Sequence, residues 1–116
     1  MAEPIYKVMT EAAFEASWSQ GHFDGSADDL RDGFIHLSAA HQLPGTLAKY
    51  FAEQEGLVLL AVDPARLGPA LKWETSRGGA LFPHLYAPLD LAAVLWVEPL
   101  PLGPDSRHVL PEGVFA

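Results

Sequence analysis

Leu57-Val58-Leu59-Leu60-Ala61-Val62 is an unbroken apolar run stopped by Asp63-Pro64. It is too short for a globular helix, and both alternating faces are apolar, so it reads as a strand buried on two sides at the centre of a sheet. A chain with such a strand must supply cover for both faces. Two helices read near the N-terminus, followed by mainly short strands, make the class α+β rather than a doubly wound parallel fold. Neither a glycine-rich dinucleotide fingerprint nor a Walker loop is present.

The other elements follow from local signals. Ile5 to Met9 is a first strand, and Thr10 is a natural N-cap with Glu11 in the first turn. Met9 and Phe14 occupy staple positions, Phe14 and Trp18 share a face, and Gly21 stops this helix. Residues 24–32 carry four aspartates and read as a solvated turn or short helix. After Ser38 a second helix follows, with Leu43, Leu47 and Phe51 on one stripe and Gly56 as its end. Pro44 either kinks it or marks its true start. Ala70 to Thr75 and Leu91 to Val97 are further strands, separated by a flexible loop, Ser76-Arg77-Gly78-Gly79. Six of the ten prolines fall from Pro83 onward, so residues 99–116 should be extended and wrapped over the body of one domain spanning 1–116.

Charge and composition narrow the function classes. The net charge is -8, which disfavours duplex nucleic acid as a partner but leaves room for a small anionic ligand held by one or two local cations. No cysteine is present, removing disulfides, thiolate metal sites and cysteine nucleophiles. No signal peptide is apparent and no apolar run is long enough to span a bilayer, so a cytoplasmic, membrane-free protein is expected, as a monomer or homodimer.

Two segments point to a site. In Gly33-Phe34-Ile35-His36-Leu37-Ser38, His36 and Ser38 share one strand face while Ile35 and Leu37 face a core. In Phe82-Pro83-His84-Leu85-Tyr86, His84 and Tyr86 repeat the pattern with Leu85 opposite. Lys72 and Glu74 occupy one face of a third strand, opposite Leu71 and Trp73. Convergence of these faces would assemble two imidazoles, a carboxylate, a phenol and a hydroxyl, suited to acid–base chemistry or to binding sugar hydroxyls. Arg77 with Gly78 and Gly79 could cradle a phosphate. Trp73 and Trp96 read as core, and His22, His41 and His108 as surface. His36, His84 and Glu74 also form a two-histidine, one-carboxylate set for a metal-dependent hydrolase, although no helical metal motif is present.

The 33–38 and 82–86 segments, Thr46-Leu47 and Trp73-Glu74 together resemble the family called domain of unknown function 952 over about Ile5 to Leu100. That resemblance implies an ADP-ribosyltransferase-like fold, a split and strongly bent sheet around a cleft. In that superfamily an early-strand histidine holds the nicotinamide ribose, and His36 is similar to it. A glutamate on a late strand steadies the developing oxocarbenium ion, with Glu74 the better match and Glu98 the weaker. The second-strand tyrosine or serine has no counterpart in Leu57 to Asp63, leaving Tyr50 or Tyr86 to serve from elsewhere. The implied function is a nucleotide or NAD-like ligand cleft, acting as a transferase with NAD as candidate substrate. His36 and Glu74 would be catalytic, and Ser38, Arg77, His84 and Tyr86 would bind the ligand. The alternative is a non-catalytic nucleotide-binding module on the same cleft.

Overall fold

The computed structural model describes residues 3–114. Its centre is β4 (Leu57–Val62), flanked antiparallel by β1 (Ile5–Thr10) and β8 (Val94–Pro99). Ile5 pairs with Val62 and Thr10 with Leu57, while a bulge between Ala61 and Val62 shifts the β8 register. All six β4 residues are buried, as the apolar run requires. Their alternation divides the interior into two clusters. Val58, Leu60 and Val62 join Ile5, Met9, Ile35, Leu37 and Leu85 on one face. Leu57, Leu59 and Ala61 join Tyr6, Val8, Leu43 and Leu47 on the other. Leu60 is wholly buried. Truncation by Leu60→Ala removes its contacts from a packed interior, with an expected cost of about 2–5 kcal/mol in urea denaturation.

The helices serve these clusters unequally. In α1 (Glu11–Gln20) Thr10 accepts a hydrogen bond from the Ala13 amide, and Gly21 ends the helix in the left-handed region. Phe14 packs on the first cluster, but Trp18, on the same face, is 68% exposed. The acidic stretch forms a true helix, α2 (Ala27–Asp32), and Asp29 within it is buried, contrary to the solvated reading. The second expected helix is α3 (Leu43–Tyr50), entered through a 3-10 turn, with Pro44 at its start rather than at a kink. It ends at Tyr50, before Gly56, because a turn returns the chain to β4.

A second antiparallel sheet comprises β3 (Ile35–His36), β6 (Leu81–Leu85) and β5 (Leu71–Thr75), in that order. Short strands β2 (His22–Phe23) and β7 (Leu89–Asp90) pair separately. The architecture is therefore α+β, with antiparallel pairing throughout. Two expectations change. The last strand starts at Val94 because Leu91–Ala93 forms a 3-10 turn capped by Asp90. Trp73 is 47% exposed, since β5 is an edge strand with one neighbour. The segment after Pro99 is mostly irregular, and its Leu100 and Val114 seal the second cluster.

Among the described residues a single β-bridge joins the backbones of the two larger sheets. Tyr6 and Ser38 exchange both backbone hydrogen bonds, at 2.8 and 2.9 Å, and the ladder goes no further. Beyond that bridge β1 and β3 separate. The gap between them is where the polar groups collect.

Candidate functional site

The site begins with a turn that only glycine permits. Gly25 has φ +125, and a Cβ there would stand 3.0 Å from Cβ of Asp29. Ser26 then caps α2 by a capping box, its hydroxyl accepting from the Asp29 amide while Asp29 Oδ2 accepts from the Ser26 amide at 2.9 Å. This turns the Asp29 carboxylate inward. Gly33 closes the helix at φ 85 and delivers Phe34 and His36 to β3.

Asp29 is the anchor of the site. Lys7, on the core-facing side of β1 with Ile5 and Met9, donates to Asp29 Oδ2 at 3.0 Å and to the His36 carbonyl at 3.0 Å. Asp29 Oδ1 accepts from the His36 amide at 3.1 Å and lies 2.7 Å from His36 Nδ1. His36 Nε2 lies 2.9 Å from Asp32 Oδ2. Burial pushes the Asp29 carboxyl up, but the His36 ring, the Lys7 ammonium and the two amides hold it well below the usual carboxylate range. Burial lowers the Lys7 ammonium, and the Asp29 carboxylate opposes that shift. Arg31 and His36 hold Asp32 low as well.

His84 stands directly across the β3–β6 ladder from His36, with ring centres 5.9 Å apart. Its ring stacks on Phe34 at 4.0 Å, and its Nδ1 lies 2.9 Å from Glu74 Oε1. Tyr86 donates to the same oxygen at 2.6 Å. The Tyr86 hydroxyl and the His84 ring together hold Glu74 below its ordinary value, and the same contact raises Tyr86. Lys72 pairs with His84 in register, and its ammonium lies 5.7 Å from the Tyr86 ring.

A cavity of about 240 Å³ occupies the gap between the sheets. Its polar lining includes Lys7, Asp28, Asp29, Arg31, Asp32, His36, Ser38, Thr46 and His84, and its aromatic lining Tyr6, Phe34, Tyr50, Phe51 and Phe82. Ser38, buried, lies 3.0 Å from the Thr46 hydroxyl. Of the expected site residues, His36, Ser38 and His84 border this space. Glu74 and Tyr86 join His84 but stay outside the lining. The Arg77 side chain lies outside the described residues, and its backbone forms a short 3-10 turn. Glu98, on β8, pairs with Leu59 of β4, and Tyr50 lines the cavity. His36, His84 and Glu74 do not converge as a ligand set: among the described residues no group of three histidine, cysteine or carboxylate side chains is arranged to hold a metal. His41 is exposed; His22 and His108 are half-buried, against Asp24 and the Gln54 carbonyl. No helix of the described residues is long and apolar enough to cross a membrane.

Sequence reasoning missed Lys7, Asp29 and Asp32. The capping-box spacing from Ser26 to Asp29 was a usable signal for the turn, though not for the burial that follows.

Known proteins give the same architecture. The crystal structure of protein CC0527 from Caulobacter crescentus is 50% identical, with TM-score 0.92, covering 97% of this chain and 99% of that one. The solution structure of CC0527 is 53% identical over 90% of each chain, with TM-score 0.81. No functionally curated protein matches the chain. The family described as "Protein of unknown function (DUF952)" matches residues 8–97, and the chain belongs to that family.

Proposed function

We propose that the cavity binds the nucleoside portion of a nucleotide or NAD-like small molecule, and that the protein acts on the ribosyl bond of that ligand. The observation that carries this reading is the pairing of His36 with His84 at one cavity wall, beside the Ser38 and Thr46 hydroxyls and under aromatic walls. The His84 imidazole and the Ser38 hydroxyl can exchange hydrogen bonds with a sugar diol, beside an aromatic wall that suits a base. The volume is below the range of roughly 300–1,000 Å³ usual for drug-sized ligands, which favours a nucleoside moiety over an enclosed dinucleotide. Two antiparallel sheets parting around a cleft also suit the ADP-ribosyltransferase-like reading of the fold, an analogy of architecture. In this assignment His84 and Ser38 meet the ribose, the His36 ring, fixed by Asp29 and Asp32, shapes the wall beside it, and Glu74 acts through His84.

Calorimetric titration of NAD, nicotinamide riboside and adenosine tests the proposal. Saturable binding to the wild type is expected, with loss in a folded His36→Ala variant. Absence of binding for all three overturns it. Release of nicotinamide from NAD identifies the transferase; saturable binding without release identifies the binding module instead.

A further inference from the structure

The two imidazoles of the cavity are not equivalent. Both nitrogens of His36 are committed to carboxylates, Nδ1 to Asp29 at 2.7 Å and Nε2 to Asp32 at 2.9 Å. His84 has only Nδ1 committed, to Glu74 at 2.9 Å. No described group pairs with its Nε2. The His84 side chain is 6% exposed, yet no side-chain nitrogen or oxygen among the described residues is both sealed from solvent and unpaired. Nε2 is therefore open to solvent, and the open space His84 borders is the cavity.

We propose that His84 is the proton-transfer group of this cavity, with Nε2 as the accepting atom, and that Glu74 is the positioning residue that fixes the ring as the Nδ1–H tautomer. This deepens the reading of the cavity as a nucleoside site, and it rests on that reading for the identity of the ligand. A carboxylate at Nδ1 places the proton there and leaves the lone pair of Nε2 facing the ligand. Phe34, stacked at 4.0 Å, prevents the ring from tilting away. Tyr86, donating to the same Glu74 oxygen at 2.6 Å, holds the carboxylate in place. The charged and titratable groups around the ring are Glu74 and Lys72 on β5, His36 on β3 and Tyr86 on its own segment. The substrate class is a ligand hydroxyl, or a water beside the ligand. The O–H bond breaks, its electron pair stays on oxygen, the proton bonds to Nε2, and the resulting imidazolium is balanced by the Glu74 carboxylate.

Nitrogen-15 NMR of the histidine rings at neutral pH tests the assignment in the free protein. The wild type is expected to show His84 in the Nδ1–H form alone. Glu74→Ala is expected to release it into a mixture of tautomers, while Tyr86→Phe, which keeps the carboxylate, leaves it unchanged. An Nε2–H ring in the wild type, or an unchanged tautomer in Glu74→Ala, overturns the inference. Addition of NAD to the same sample separates the two readings: a shifted Nε2 resonance supports both. With the tautomer as expected and no response to NAD, nicotinamide riboside or adenosine, the His84 assignment stands and the nucleoside reading fails.

Discussion

Asp29→Ala is expected to be among the most damaging single substitutions in this chain, costing about 3–5 kcal/mol of stability. That is a large share of the roughly 5–15 kcal/mol that holds a domain of this size. Three losses coincide, the last being the acceptor that Asp29 Oδ1 gives the His36 amide and ring. The half of the capping box in which Asp29 accepts from the Ser26 amide disappears, worth about 0.5–1.5 kcal/mol, while the Ser26 hydroxyl keeps the amide of residue 29. The Lys7 ammonium, 6% exposed at its side chain, is left with the His36 carbonyl as its remaining acceptor. The second loss dominates, because an uncompensated buried charge costs several times more than a cap. A double substitution separates them: Lys7→Met in the Asp29→Ala background removes the stranded charge and should recover much of the loss, leaving the cap and His36 deficits. Urea denaturation of the three variants measures this. If Lys7→Met gives no recovery, the ion pair is not what Asp29 supplies.

The same residue sets the acid limit of the fold. A carboxyl whose folded value is depressed contributes its full stabilisation above its unfolded value, near about 4, and loses it as pH falls through the folded value. Asp29, Asp32 and Glu74 are all shifted in that direction. Asp29 carries the greater part, because the other two are far more exposed and solvent screens their partners. The wild type should therefore lose stability progressively as acid is added below about pH 4. A folded Asp29→Asn variant should be less stable at neutrality and show a flatter acid profile.

Much of the fold was legible because it depends on local period. The six apolar residues of β4 require two covered faces, and both faces are covered. The alternation around His36 and His84 places Ile35, Leu37 and Leu85 in the first cluster and the histidines on the opposite side. Thr10 and Gly21 bound α1 where their chemistry requires. What was illegible depends on partners distant in sequence. Lys7 and Asp29 are 22 residues apart, and each sits in a segment that composition reads otherwise: a lysine within an apolar strand and an aspartate within an acidic run. Only their pairing permits either burial. Trp73 erred in the reverse sense. Its size argues for a core, but an edge strand offers it no second neighbour to pack under. Glu74 was found for its face and its neighbours, yet the cavity lies on the other side of the His84 ring.

Ile35→Asp and His36→Ala, adjacent on a two-residue strand, should differ sharply, and this contrast tests the orientation of the whole site. Ile35 is 3% exposed, pairs with Leu85, and packs in the cluster that includes Ile5, Leu60 and Leu89. The Lys7 ammonium at the border of that cluster is already bound to Asp29 and the His36 carbonyl, so a carboxylate at position 35 is buried without a partner of its own or the strand is displaced. Either outcome costs several kcal/mol, on the order of the whole stability of the domain. His36→Ala loses less. Its side chain is 39% exposed, and the backbone contacts of residue 36 to Asp29 and Lys7 do not need the ring. Loss of the ring contacts to two carboxylates should cost about 1–3 kcal/mol and leave a cooperative transition. Circular dichroism and urea denaturation decide between them. If His36→Ala proved the more destabilising, the imidazole would be a structural strut rather than a group presented to a ligand. The cavity would then have lost the residue around which its function is proposed.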